Sequence, residues 1–174
     1  MIETDRLLLR KPRLDDVDAL YRLYSDPEVM RYIGTGETFD RDETRAWIEK
    51  ALARWDANGF GHFVIERDGA LVGRCGFLVW DPVEWRIRTY GEGAEVELGW
   101  MLGRAHWGNG YAVEAATACR NHAFGELGLT RLISLIAPGN ERSVRVAEKL
   151  GSRYERDVGR GDWRAQLFAV ERAA

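Results

Sequence analysis

Cysteine is scarce in this chain of 174 residues: there are two, Cys75 and Cys119. Both sit in apolar-patterned segments, so they are expected as reduced core thiols of a cytoplasmic protein rather than as a disulfide. No cysteine pair stands at metal-ligand spacing. The three histidines, His62, His106 and His122, are scattered, so a zinc site is not expected and no metal is assigned. An excess of one charge is missing as well. Lys+Arg 25 against Asp+Glu 28 gives a net charge of −3. That balance lacks the field that drives binding to phosphate polymers, so a general nucleic-acid partner is not expected. No apolar run approaches the roughly 20 residues that span a bilayer. The mixed charges of residues 1–6 are followed by no apolar secretion core, so no membrane partner is expected. Repeats and low-complexity linkers are also absent, and residues 1–174 are read as a single domain.

What is present is a globular composition, 45% apolar and 30% charged. Residues 7–10 read as a short strand. Residues 15–24 read as a helix with Val17, Leu20, Tyr21 and Tyr24 on one face and Pro27 just beyond its end. Asp40 and Glu43 resemble a capping pair. The helix they open carries Trp47, Ile48, Ala51, Leu52 and Trp55 on one stripe, and Asn58-Gly59 stops it. The period then changes. Residues 62–66 and 71–80 read as strands around the hairpin signal Arg67-Asp68-Gly69. Residues 81–93, with Pro82 and two glycines among charges, are expected as a mobile loop. Residues 95–102 form a further strand, followed by a glycine turn and a helix to about residue 124. A strand over 132–137, a helix capped by Asn140 and ending at Leu150-Gly151, and strands over 154–158 and 166–170 complete the chain. Strands joined first by hairpins and later by helices predict one mixed α/β sheet.

The most informative segment is 97–113. A strand runs into a short turn with Gly108 and Gly110, and the turn opens a helix. Glycine allows close approach to the backbone, and the first helical turn has unpaired N–H groups and partial positive charge. Together they suit a pyrophosphate. The other reading is a plain strand-to-helix connection that needs two small residues, and glycine spacing alone does not separate the two. A dinucleotide fingerprint is excluded because Val113 stands where its third glycine belongs. A Walker loop is excluded because no Gly-Lys-Ser/Thr follows. A second segment, 140–151, reads by itself as an ordinary capped amphipathic helix.

Taken together, Trp107-Gly108-Asn109-Gly110-Tyr111-Ala112 and Asn140-x-x-Ser143-x-x-Val146-x-Glu148-Lys149-Leu150-Gly151 resemble the GNAT acyltransferase superfamily. The branch they are most similar to is that of the ribosomal-protein alanine/serine N-acetyltransferases. Thr4-x-Arg6-Leu7-x-Leu9-Arg10 and Glu97-Leu98-Gly99-Trp100 resemble the same branch, so the likeness covers nearly the whole chain in order. The resemblance implies an α/β (α+β) fold: a central, splayed, mostly antiparallel sheet flanked by helices. It implies acetyl-CoA as donor and co-substrate, and an amine as acceptor. Trp100, Met101 and Leu102 would pair with the pantetheine arm. Gly108, Asn109, Gly110, Tyr111, Ala112 and Val113 would hold the pyrophosphate, and Asn140 would contact the cofactor. Three positions depart from the pattern. Trp107 replaces the usual Gln or Arg, which shifts the task to backbone N–H groups. Ala147 stands where many N-terminal acetyltransferases place a Tyr as general acid, and Ser152 replaces the usual Phe after the glycine.

For chemistry, Glu97 is the candidate base, directly or through a water. Deprotonating a free α-amine, with a pKa of roughly 7.7–8.0, is modest work compared with a lysine at roughly 10.4. The alternative is that Glu95 and Glu97 are solvated charges on one strand face. Backbone N–H groups near residues 100–102 are the expected oxyanion donors. Ser143 is the candidate proton donor to the leaving thiolate, against a reading as a mere second-turn polar residue. Asp162 is a weaker acidic candidate. His62 is expected as a packed or surface histidine, and His106 has no role assigned. Trp80 and Trp85 are candidates to line an apolar acceptor pocket. The residues that meet a 3′-phosphate cannot be chosen from the 22 arginines among 25 basic residues. The leading acceptor is a protein or peptide N-terminus. A small molecule (antibiotic, polyamine or amino acid) is the second reading, for which Asp81, Glu84, Glu92 and Glu95 would form an acidic mouth. A non-catalytic acyl-CoA sensor is the third. A homodimer is consistent with the resemblance.

Overall fold

The structure, a computed structural model, describes residues 1–173. The chain opens with strands β1 (Ile2–Glu3) and β2 (Leu8–Arg10), then helices α1 (Val17–Tyr24), α2 (Pro27–Met30) and α3 (Arg41–Asn58). Strands β3 (His62–Arg67), β4 (Ala70–Trp80) and β5 (Glu95–Leu102) lead into α4 (Tyr111–Gly125). The rest alternates: β6 (Arg131–Ile136), α5 (Glu141–Lys149), β7 (Arg153–Arg160) and β8 (Trp163–Glu171). The strands form one eight-stranded sheet in the order β1-β2-β3-β4-β5-β6-β8-β7. Every pair is antiparallel except β5 with β6. That parallel pair meets at one register position, Glu97 with Ile133, and the sheet splays beyond it.

Local chemistry explains the elements. Asp68 and Gly69 both take positive φ, +51° and +77°, as a two-residue hairpin turn between β3 and β4 requires. Asp40 and Glu43 form the reciprocal capping box at the start of α3, and Gly59 ends that helix in the left-handed conformation. Pro27 does more than follow α1. It is the first residue of α2, capped by the Asp26 carboxylate, which accepts from the Glu28 N–H.

Strand alternation sorts the two faces of the sheet. Val96, Leu98 and Leu102 pack under α4 with Ala115, Ala116 and Cys119. These small residues let the helix sit close on the sheet. Cys75 and Cys119 are free and buried in this layer, as their apolar settings predict. On the other face α1 and α3 bring Leu20, Tyr24 and Ile48 against Val64 and Met101. Farther along that face Trp80, Trp85 and Trp163 cover Ile133 and Leu167. The segment 81–93 is irregular, yet tied down. Trp85 is buried, the Arg88 N–H donates to the Val79 carbonyl, and the Tyr90 N–H donates to the Asn58 side chain. No helix among the described residues is long and apolar enough to cross a membrane.

Candidate active site

The splay between β5 and β6 leaves main-chain groups free. The Gly103 N–H donates to Val72 of the β4 edge at 3.0 Å, so residues 99, 101 and 103 turn toward β4. Leu98, Trp100 and Leu102 therefore turn their N–H and C=O groups toward the seam. Two of these carbonyls have side-chain donors: Ser134 Oγ on Leu98 (2.8 Å) and Trp107 Nε1 on Leu102 (2.8 Å).

Directly after β5 the chain makes the glycine turn. Gly108 and Gly110 have φ of +77° and +81°, which side-chain-bearing residues rarely adopt. Gly110 is the N-cap of α4 and offers no side-chain cap. Among the described residues, no main-chain N–H from Gly108 to Val113 donates to another protein group. Six consecutive free amides at the positive end of a 15-residue helix form a cradle for an anion.

This cradle is one wall of a cleft of about 840 Å³. Trp100, Met101, Leu102, Gly108, Gly110, Tyr111, Ala112, Val113, Asn140 and Ser143 all line it. Tyr111 contributes through its backbone end, because its ring is buried under the guanidinium groups of Arg6 and Arg67. Asn140 caps α5, its carboxamide oxygen accepting from the Ser143 N–H at 3.2 Å. The Ser143 hydroxyl has no partner among the described residues. Asn109 does not line the cleft. Its side chain donates to the Trp107 carbonyl, and its own carbonyl accepts from Arg6.

Glu97 also lies outside the lining, on the face of β5 that it shares with Met101. It is not a solvated charge. Its Oε2 accepts from Trp80 Nε1 at 2.6 Å. Burial pushes its carboxyl above the usual range, while the Trp80 indole, the charge of Arg74 and the Leu135 N–H pull the other way. Glu95 is likewise paired, with Arg131 at 3.2 Å. Of the two settings expected for His62, packed or surface, it takes the packed one, buried and pushed well below the usual imidazole range by burial and by Arg74 and Arg54. Trp80 stacks on Trp163 at 5.8 Å beside Trp85, a cluster next to Glu97 rather than in the cleft.

Other lining residues escaped the sequence reading. Arg142, Arg145 and Lys149 form a basic rim on α5, with Arg31 across the cleft. Their spacing of three and four residues was available as one face of a helix. Val29, Tyr32 and Ile33 come from α2 and its exit, and the only signal for that short helix was Asp26-Pro27.

The arrangement suits a long ligand. An anionic centre fits the free amides, a more distal phosphate fits the basic rim, and an extended arm fits the open edge of β5. The family model described as acetyltransferase (GNAT) domain matches residues 6–153. The uncharacterized protein YkkB of Bacillus subtilis is 35% identical over 172 residues, 97% of this chain and 93% of that protein. The uncharacterized N-acetyltransferase p20 of Bacillus licheniformis is 34% identical over 155 residues, 87% and 82% of the two chains. Among solved structures, an acetyltransferase of this family from Bacillus anthracis superposes with a TM-score of 0.79 at 30% identity, covering 98% of this chain and 97% of the other.

Proposed function

The chain belongs to the GNAT acetyltransferase family, and from that premise we propose that it moves an acetyl group from acetyl-CoA to a primary amine, the α-amino group of a peptide or protein N-terminus. The observation that carries the reading is the run of free amides from Gly108 to Val113 beside the free edge of β5. In this reading the amides of Gly108, Asn109, Gly110, Tyr111, Ala112 and Val113 hold the diphosphate. Arg142, Arg145 and Lys149 meet the outer phosphate. Trp100 and Leu102 pair with the pantetheine arm through their seam-facing main chain, Met101, whose main chain is committed to β4, only lines its path, and the Asn140 carboxamide, whose nitrogen is uncommitted, contacts that arm. Bound acetyl-CoA supplies the activated acetyl group.

The amine nitrogen forms the new bond to the acetyl carbon, the carbon–sulfur bond breaks, and the thiol leaves with a proton. Glu97 receives the proton that the amine gives up. Its environment supports that role, because a carboxyl raised by burial is a stronger base than a solvated one. Even so, it matches an α-amine of pKa roughly 8 better than a lysine near 10.4. Trp100 and Leu102 N–H groups face the seam and serve as oxyanion donors. Ser143, with a free hydroxyl at the cleft, donates a hydrogen bond to the leaving sulfur and relays it a proton taken from water, in place of the tyrosine that Ala147 removes.

A cationic small molecule fits less well, because the acidic mouth it needs is largely neutralised. Asp81 accepts from the Val83 and Glu84 N–H groups, Glu84 pairs with Arg86, and Glu95 with Arg131. The test is thiol release from acetyl-CoA with amidated peptides, lysine side-chain amines and polyamines as acceptors. Release with α-amines supports the reading. Release with polyamines alone sinks it, and binding without release in both wild type and Glu97→Gln points instead to a sensor.

A further inference from the structure

Two of the arginines drawn into the sheet are neutralised by carboxylates. Arg10 lies 2.6 Å from both Asp16 and Glu66, and Arg131 reaches Glu95, Glu155 and Glu171. Arg74 on β4 keeps 8% of its surface and has no carboxylate within salt-bridge distance among the described residues. Its one hydrogen bond runs from Nη1 to His62 Nε2 at 2.9 Å. Nε is sealed and unpartnered. Nη2 has no partner either, and it is not among the sealed atoms. The one unpartnered edge of the guanidinium open to a ligand is therefore at Nη2, whose N–H groups can meet a carboxylate. A buried charge without a counter-charge is strongly unfavourable, so this edge lacks its anion.

The surroundings repeat the deficit. Because His62 Nε2 accepts from Arg74, its Nδ1 carries the proton, and that N–H is sealed without an acceptor. The Tyr24 hydroxyl is sealed without a partner too. Trp47 packs these groups together, 5.3 Å from Tyr24, 5.6 Å from His62 and 5.5 Å from the Arg74 guanidinium. The unpartnered atoms are two N–H groups and a hydroxyl that can also donate. Arg74 is the cross-strand partner of Met101, which lines the cleft, and it shares a sheet face with Glu97.

We infer that the acceptor carries a carboxylate close to its amine, and that Arg74 binds it through Nη2, the unpartnered nitrogen that is not sealed. The inference rests on the acetyltransferase reading above and narrows its acceptor. Glu97 then faces the ammonium end and Arg74 the carboxylate end of one substrate. The carboxylate has two chemical sources, an acidic side chain in an N-terminal residue or the α-carboxylate of a free amino acid.

The test compares kcat/KM for amidated Asp-Ala, Glu-Ala, Ala-Ala and Lys-Ala dipeptides and for free amino acids. An acidic or free-carboxylate acceptor is expected to lead the neutral amide by about 10–100-fold, the range of a charged hydrogen-bonded pair. Leadership by the acidic dipeptides or by the free amino acids assigns the source, and either supports the inference. In Arg74→Met the ratio falls to about one through KM, and Arg74→Lys restores part of it. Arg74→Met is expected to melt no lower than wild type, whereas a merely structural arginine would lower the melting temperature and slow all acceptors alike. Equal kcat/KM for acidic and neutral acceptors, or a preference that survives Arg74→Met, overturns the inference and leaves the acetyltransferase reading standing. If no amine releases thiol, that reading fails, and calorimetry with N-acetylated Asp-Ala amide decides the inference alone. Binding lost in Arg74→Met supports it, and absence of binding to wild type overturns it.

Discussion

On the sheet face that carries α4 and α5, the groups left without partners are main-chain amides at the surface, in the turn 108–113. On the face under α1 and α3 they are side-chain atoms sealed in the interior: Tyr24 Oη, His62 Nδ1 and Arg74 Nε. The first arrangement depends on backbone shape and tolerates varied side chains, as a site for a common carrier requires. The second depends on which side chains four separate elements bring together, and such a site selects one acceptor among many. Both faces meet on β5, where Glu97 looks to one side and the open edge at Trp100 to Leu102 faces the seam.

Several variants would break or sharpen this division. The largest effect is expected from Glu97→Gln, which keeps the Trp80 hydrogen bond but cannot take a proton. It should lower kcat by about 10²–10⁴-fold with acetyl-CoA affinity unchanged, read by steady-state kinetics and calorimetry. In wild type, kcat/KM should rise with pH as Glu97 ionises. Because burial raises its pKa, the acidic limb should lie above the usual carboxylate range, and Trp80→Phe, which removes a donor to the charged form, should move that limb higher still. Next comes the double change Gly108→Val and Gly110→Val, which forces two positive φ angles onto β-branched residues. It should weaken acetyl-CoA binding by about 100-fold and leave acceptor selectivity as it was. Arg142→Ala or Lys149→Ala should weaken binding about 2–5-fold, less at high salt, because these cations are exposed. The smallest effect on function is expected from Asp40→Ala. Loss of the α3 cap should cost about 1 kcal/mol of stability in denaturant unfolding, with kinetic constants unchanged.

The same division explains what could be read in the sequence. The proposed carrier side can be picked out in the sequence because its information is contiguous: Gly108 and Gly110 lie two apart, and Asn140 and Ser143 one helical turn apart. The strand and helix periods around them recover β5, α4 and α5 almost to the residue. On the proposed acceptor side the sequence pointed to Glu97 alone, because Tyr24 and Trp47 lie on α1 and α3 and meet His62 and Arg74 only through the packing of those helices on β3 and β4. Arg74 in particular looks like any polar residue in an alternating strand. Its lack of a carboxylate partner is a property of the packed sheet. The helix α2 escaped because four residues hold too little periodicity. Residues 81–93 read as a free loop because nothing local reveals that Trp85 is buried against Trp163.

The central claim, that main-chain amides hold the diphosphate of the acetyl carrier, is tested most directly by following the amide NMR signals of residues 108–113 during titration with coenzyme A and, separately, with pantetheine. The expected result is large, saturable shifts across these amides with coenzyme A and none with pantetheine, which has no diphosphate. Signals that stay in place while coenzyme A binds, or that move equally with both, would contradict the account.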